Sequence, residues 1–155
     1  MRELTEIRWH ARAGQGAKTA SQVLALALLR SGKSVQSFPE YGPERRGAPL
    51  RAYTRFGTSR VRRHDSIEHP DLVVVLDESL LDEPAVLEGT TADTPVLVNR
   101  KAGPMANIEM LGTVAARLGE PPLETLQAAV VEVLGGKSAP QALRAAVEEG
   151  YRCRS

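Results

Sequence analysis

The sequence predicts an α/β fold, with a mixed, mostly parallel sheet inside three α/β/α layers, and three features carry that prediction. A strand, a glycine-bearing turn and a helix follow one another from Ile7 to Ala27. Two apolar runs, Asp71–Leu76 and Thr94–Val98, have the β-branched character of strands covered on both faces. Beyond Asn107, three segments repeat apolar residues at spacings of three and four, the period of amphipathic helices.

In the opening strand Ile7 and Trp9 alternate with Arg8 and His10, and the turn that follows reads Arg12-Ala13-Gly14-Gln15-Gly16-Ala17-Lys18-Thr19. The helix beyond it carries Val23, Leu24, Ala27 and Leu28, and Gly32 is placed to end it as a left-handed C-terminal residue. Ser34–Phe38 reads as a short second strand, parallel to and paired with the first through a right-handed crossover. The next stretch, from Phe38 to Pro49, holds three prolines, two glycines and four charges, which exclude regular helix and central strand. Its length and charge suit either a functional loop or a stiff solvated turn. Leu50–Phe56 alternates as a strand with one wet face, Gly57-Thr58-Ser59 forms a hairpin-type turn, and Arg60–His64 returns as an antiparallel strand. Arg60, Arg62 and His64 then share a face, which is either a solvated surface or an anion or partner contact. Asp71–Leu76 and Thr94–Val98 are buried strands, with Ser79 positioned to cap a short helix between them. The helices Asn107–Leu118, Leu123–Leu134 and Ala139–Glu149 close the chain, ending at Gly119, Gly135 and Gly150. The result is one Rossmann-like unit over residues 1–155, with five or six strands and no linker or repeat.

Composition narrows the classes of function. With 42% hydrophobic and 25% charged residues the chain is globular, and with 4% aromatics its core rests on Ala, Val and Leu. A net charge of +1 argues against a dedicated nucleic-acid binder. The single Cys153 excludes an internal disulfide, no Cys/His pattern has metal-ligand spacing, and no apolar run nears the ~20 residues of a membrane span. These readings place the chain in a reducing, cytoplasmic compartment.

No constellation for independent catalysis stands out: there is no G-x-S-x-G elbow, and His10, His64 and His69 are scattered. The Gly14–Lys18 turn narrowly misses two phosphate motifs. Ala17 separates Gly16 from Lys18 where a P-loop needs them adjacent, and Thr19 stands where a dinucleotide fingerprint needs a third glycine. What remains is either a generic anion site, with the amides of Gly14, Gln15 and Gly16 and the ammonium of Lys18 at a helix N-terminus, or a plain turn needing glycine's freedom. Asp77 and Asn99 follow two strands, where they are either crevice rim or ordinary caps.

Two segments together resemble a known family. Ile7-Arg8-Trp9-His10-Ala11-Arg12-Ala13-Gly14-Gln15-Gly16 is similar to the I-R-x-x-G-R-G-G-Q-G opening of the gamma subunit, or gamma domain, of 2-oxoacid:ferredoxin oxidoreductases of the pyruvate/ketoisovalerate type. Tyr41-Gly42-Pro43-Glu44-Arg45-Arg46-Gly47-Ala48 resembles its second signature, Y-G-P-E-x-R-G-G. Asp71–Leu76 and Met110-Leu111-Gly112 also fall where similar stretches occur. Ala11, Ala13 and Ala48 replace glycines of the pattern, and between Asn99 and Met110 an extra strand-and-loop segment common in the family is absent. The resemblance implies one subunit of a complex that oxidatively decarboxylates a 2-oxoacid to acyl-CoA and CO2 and reduces ferredoxin, or NAD through a flavin subunit. It implies thiamine diphosphate, Mg2+ and iron–sulfur clusters on alpha, beta and ferredoxin-like delta-type partner subunits, with coenzyme A as co-substrate. No residue of this chain is then catalytic. Gly14, Gln15, Gly16 and Lys18 would contact coenzyme A or a partner, and Tyr41, Gly42, Pro43, Glu44, Arg45, Arg46 and Gly47 would form a partner or active-site loop. The competing reading is a free-standing nucleotide-binding regulatory module built on the same turn.

Overall fold

The structure, a computed structural model, describes residues 3–40 and 48–153, so the expectations placed on Tyr41–Gly47 lie outside the described residues. Among the described residues the sheet has five strands in the order β2-β3-β1-β4-β5: β1 (Leu4–Arg12), β2 (Ser34–Glu40), β3 (Pro49–Gly57), β4 (Leu72–Val75) and β5 (Val96–Val98). The α-helices are α1 (Ala17–Arg30), α2 (Ala106–Leu118), α3 (Leu123–Leu134) and α4 (Pro140–Arg152).

The α/β class and the mixed sheet are as the sequence predicts, but the pairings are not mostly parallel. β1 pairs with β4, and β4 with β5, in parallel, while β3 runs antiparallel to both β1 and β2. β2 does point along β1, yet β3 lies between them, which corrects the expected neighbouring pair. With β1 on one side of β3 and β2 on the other, no edge is left for a returning strand. Residues 60–64 accordingly form no strand.

One face of the sheet carries the main core. Ile7, Trp9, Ala11, Ala52, Phe56, Leu72 and Val74 pack there against buried residues of all four helices. Close approach of α1 is secured by small residues, with Ala17, Ala20 and Ser21 buried at helical spacing. The Ser21 hydroxyl lies 2.6 Å from Thr54 Oγ1 and 2.8 Å from Ser37 Oγ, and Trp9 Nε1 donates to Thr54 Oγ1 at 3.0 Å. These bonds satisfy the polar atoms of a seam that would otherwise be penalised for burial. α1 ends at Gly32 as expected: φ is +96°, and Lys33 N donates to Leu28 O at 3.0 Å in the Schellman manner.

The opposite face departs from the three-layer expectation. Its cover is a layer of loops and two 3₁₀ helices, Glu78–Asp82 and Pro84–Val86. Val73 and Val75 meet Leu80 and Val86 there. Beneath this cover Arg8, His10, Tyr53 and Arg55 are all buried, so the expected wet face of β3 is dry at Tyr53 and Arg55, with Arg51 half-buried. Arg8 donates through Nε to His10 Nε2 (2.9 Å), through Nη1 to Ile67 O (3.2 Å), and through Nη2 to Val86 O (3.0 Å) and Glu88 O (2.6 Å). Arg55 donates to Glu6 Oε2 (2.7 Å) and Gln36 Oε1 (3.0 Å) and lies over the Phe38 ring. Burial raises the Tyr53 phenol, with Ser66, Arg51 and Glu40 as the polar side chains acting on it. None of them meets its hydroxyl in hydrogen-bonding geometry.

Gly150 does not end its helix. α4 continues to Arg152, and a Cβ at Gly150 would stand 1.6 Å from Glu109 O, while one at Gly112 would stand 2.1 Å from Val147 O. The two glycines let α2 and α4 cross backbone to backbone. Gly150→Ala is expected to force the helices apart and destabilise by about 1–3 kcal/mol in urea unfolding; a variant as stable as the parent would contradict this reading of the crossing.

Candidate functional site: the rim at the ends of the parallel strands

From β1 the chain turns back through α1 toward β2 and β3, whereas from β4 it proceeds to β5 on the other side. The gap between the ends of β1 and β4 is therefore a topological switch point, where open α/β sheets form their ligand crevices. The Arg12–Lys18 turn and Asp77 flank it, and Asn99 stands one strand further along.

Their side chains join into one network. Gln15 Oε1 accepts from Arg12 N (2.7 Å), and its Nε2 donates to Asp77 Oδ2 (2.7 Å). Asp77 also accepts from Ser79 N (3.0 Å) and Ser79 Oγ (2.6 Å), so Asp77, not Ser79, caps the first 3₁₀ helix. Arg12 donates to Ser79 Oγ from Nε (3.1 Å) and Nη2 (2.9 Å), with Asp77 Oδ2 3.6 Å from Nε. The Ser79 hydroxyl, then the Gln15 amide, hold the Asp77 carboxyl below its usual range. Asn107 Nδ2 donates to Gln15 O, and Asn107 Oδ1 accepts from Asn99 Nδ2 (3.1 Å). Asn99 Oδ1 in turn accepts from Lys101 N (3.1 Å).

Gly14 and Gly16 have φ of +92° and +86°, and a Cβ at Gly14 would meet nothing within 4 Å. Their conformation explains them without a close approach by this chain. α1 starts with no side-chain cap and no acidic residue in its first turn. Lys18 is exposed and stands outside the network, with no bond to a described residue. The structure thus brings Gln15 together with Asp77 and Asn99, but not with Lys18. Arg12 and Asn107 were missed as members. Arg12 lies inside the turn and carried a signal; Asn107, 92 residues from Gln15, carried none.

Ala48, the described last residue of the second signature, and Glu40, just before that signature, reach the same rim. Ala13 N donates to Ala48 O at 2.8 Å, and Glu40 ends β2 on that side. Among the described residues no group of His, Cys, Asp and Glu is arranged to hold a metal, and no helix is long and apolar enough to cross a membrane.

Fold and rim define a switch-point α/β domain that presents hydrogen-bonding groups at the ends of its parallel strands. Comparison with known proteins makes the assignment specific. The family model for pyruvate ferredoxin/flavodoxin oxidoreductase matches residues 6–104, and the chain belongs to that family. It is 42% identical to pyruvate synthase subunit PorC of Thermotoga maritima over 179 positions, covering 94% of this chain and 92% of that one. It is 38% identical to the pyruvate/ketoisovalerate oxidoreductases common subunit gamma of Thermococcus kodakarensis, covering 94% and 95%. The crystal structure of the Thermotoga maritima PORC subunit superposes with a TM-score of 0.81 at 37% identity, over 97% of each chain.

Proposed function

We propose that this chain is the gamma subunit of a thiamine-diphosphate- and iron–sulfur-dependent complex that oxidatively decarboxylates a 2-oxoacid to acyl-CoA and CO2. Electrons pass to ferredoxin or, through a flavin subunit, to NAD. The observation that carries this reading is the 42% identity to a PorC subunit along nearly the full length of both chains. The chain acts as one non-catalytic gamma-type domain in the cytoplasm, assembled with alpha, beta and ferredoxin-like delta-type subunits. Mg2+ and the clusters are assigned to the partners, in keeping with a single cysteine, which cannot hold a cluster alone. Thiamine diphosphate supplies the decarboxylation there.

This chain's own contribution is a shaped wall. Gly14 and Gly16 offer backbone at an uncapped helix start, and Lys18 an exposed ammonium, to coenzyme A or a partner. Gln15, whose N–H donates to Arg12 O at 3.1 Å and whose carbonyl accepts from Asn107 Nδ2, holds the turn in shape instead of supplying the amide expected of it. Tyr41–Gly47 is proposed to contact a partner or the active site, and its Arg45 and Arg46 suit carboxylate or phosphate.

Coexpression with the subunits encoded beside it is expected to yield one complex that reduces an electron acceptor only with oxoacid and coenzyme A present. Omitting the chain is expected to abolish that reduction, and Lys18→Ala to raise KM for coenzyme A severalfold with kcat retained. Elution of the chain alone, with acceptor reduction intact in its absence, would overturn the proposal.

A further inference from the structure

Asn99 and Asn107 give the rim a direction as well as a shape. A side-chain amide can present either its oxygen or its N–H to the same neighbour. Here both orientations are set, because the series of bonds begins and ends on main-chain groups of single polarity. Lys101 N donates to Asn99 Oδ1 at 3.1 Å, which leaves Asn99 Nδ2 to donate to Asn107 Oδ1 at 3.1 Å. Asn107 therefore presents Nδ2 to the Gln15 carbonyl, which can only accept. Both supports are firm. Asn99 N continues the β4–β5 ladder by donating to Val75 O at 2.8 Å, and Asn107 lies in the first turn of α2.

The peptide that receives this bond is poorly fixed by its own residues. Gly16 sits at φ +86° and, as a glycine, is free to adopt either sign, so the Gln15–Gly16 peptide plane can turn over at little steric cost. That peptide is trans and planar, and its N–H points opposite to its C=O. A carbonyl held on Asn107 thus aims the Gly16 N–H away from α2. Gly16 is exposed, and among the described residues nothing accepts from this N–H. Lys18, exposed two residues further on, adds a cation that suits the same class of group, an anion.

We propose that Asn107, itself oriented by Asn99, is a positioning residue that locks the Gln15–Gly16 peptide and so holds the Gly16 N–H ready for an anionic group of coenzyme A. This rests on the subunit reading above. In the purified complex, Asn107→Ala is expected to raise KM for coenzyme A roughly three- to tenfold, the span that one hydrogen bond is worth, with kcat retained. Alanine is a strong helix former, so α2 is kept. Asn99→Asp is the sharper variant. Its carboxylate still accepts from Lys101 N but has no proton to give, so it draws Asn107 Nδ2 to itself and turns Oδ1 onto the Gln15 carbonyl. KM for coenzyme A should rise as in Asn107→Ala, and the double variant should be no worse than either alone. A parental KM in Asn107→Ala, or effects that simply add in the pair, overturns this inference and leaves the subunit reading standing. A complex that comes apart with KM unchanged also overturns it, in favour of the turn as a contact with a partner subunit. Acceptor reduction that proceeds without this chain overturns both readings.

Discussion

Replacing Arg8 by methionine is expected to destabilise the protein by about 2–5 kcal/mol, because it strands several buried acceptors at once. The guanidinium is buried on the face opposite the helices, and its four hydrogen bonds end on His10 Nε2 and three carbonyls, those of Ile67, Val86 and Glu88. Removal leaves those acceptors in a dry layer, where each unsatisfied group costs about 1–3 kcal/mol. Lysine is expected to rescue little, since one ammonium cannot reproduce a planar fork reaching two separate loops. Urea unfolding measures the loss, and faster amide exchange across residues 67–88 should accompany it. A loss under about 1 kcal/mol would show that the loop layer is held by something other than Arg8.

The second large effect is a fall in stability with acid that traces to one residue. Burial first, then the charges of Arg8 and Arg51, push the His10 imidazole down to about 3. The bond from Arg8 Nε also occupies the Nε2 lone pair. In the unfolded chain the ring takes up its proton near pH 6.5. Between about 6.5 and 3 the unfolded state therefore binds one proton more than the folded state, and stability declines as pH falls through that window. The slope approaches ~1.4 kcal/mol per pH unit, which amounts to about 2 kcal/mol between pH 7 and pH 5. Above pH 7 the contribution is complete and flat. His10→Gln keeps an acceptor for Arg8 and cannot titrate, so its stability should lose this dependence. Parallel pH profiles for parent and variant would assign the acid sensitivity elsewhere.

These two residues also mark where the sequence stopped being legible. Alternation along β1 separates Ile7 and Trp9 from Arg8 and His10 correctly, but alternation assigns faces without saying what covers them. Residues 58–71, which help cover the second face, carry alternation only at Arg60–His64, where it suggests a strand that does not form, so nothing in them marks a cover and Arg8, His10, Tyr53 and Arg55 read as solvated. The order of β2, β3 and β1 was equally hidden, because a pairing such as Trp9 with Ala52 is a long-range choice that local pattern does not record. Signals carried by backbone conformation fared better. Gly14, Gly16, Gly32 and Gly119 all adopt the positive φ that their places at turns and helix ends demand. Gly150 looked the same in sequence and serves a different need, a helix crossing. At the rim, Gln15, Asp77 and Asn99 were readable from their positions after strands, whereas Asn107 joins them only through folding.

The chain of bonds from Asp77 through Gln15, Asn107 and Asn99 to the backbone of Lys101 has a consequence for the crevice as a working surface. Three strand ends and the first turn of α2 are tied by side-chain amides, which carry no net charge for salt to screen. Ion pairs on the outer surface, such as Arg30 with Glu132, weaken as electrolyte rises. The amide links do not, so salt reaches the rim only through its charged members, Arg12 and Asp77.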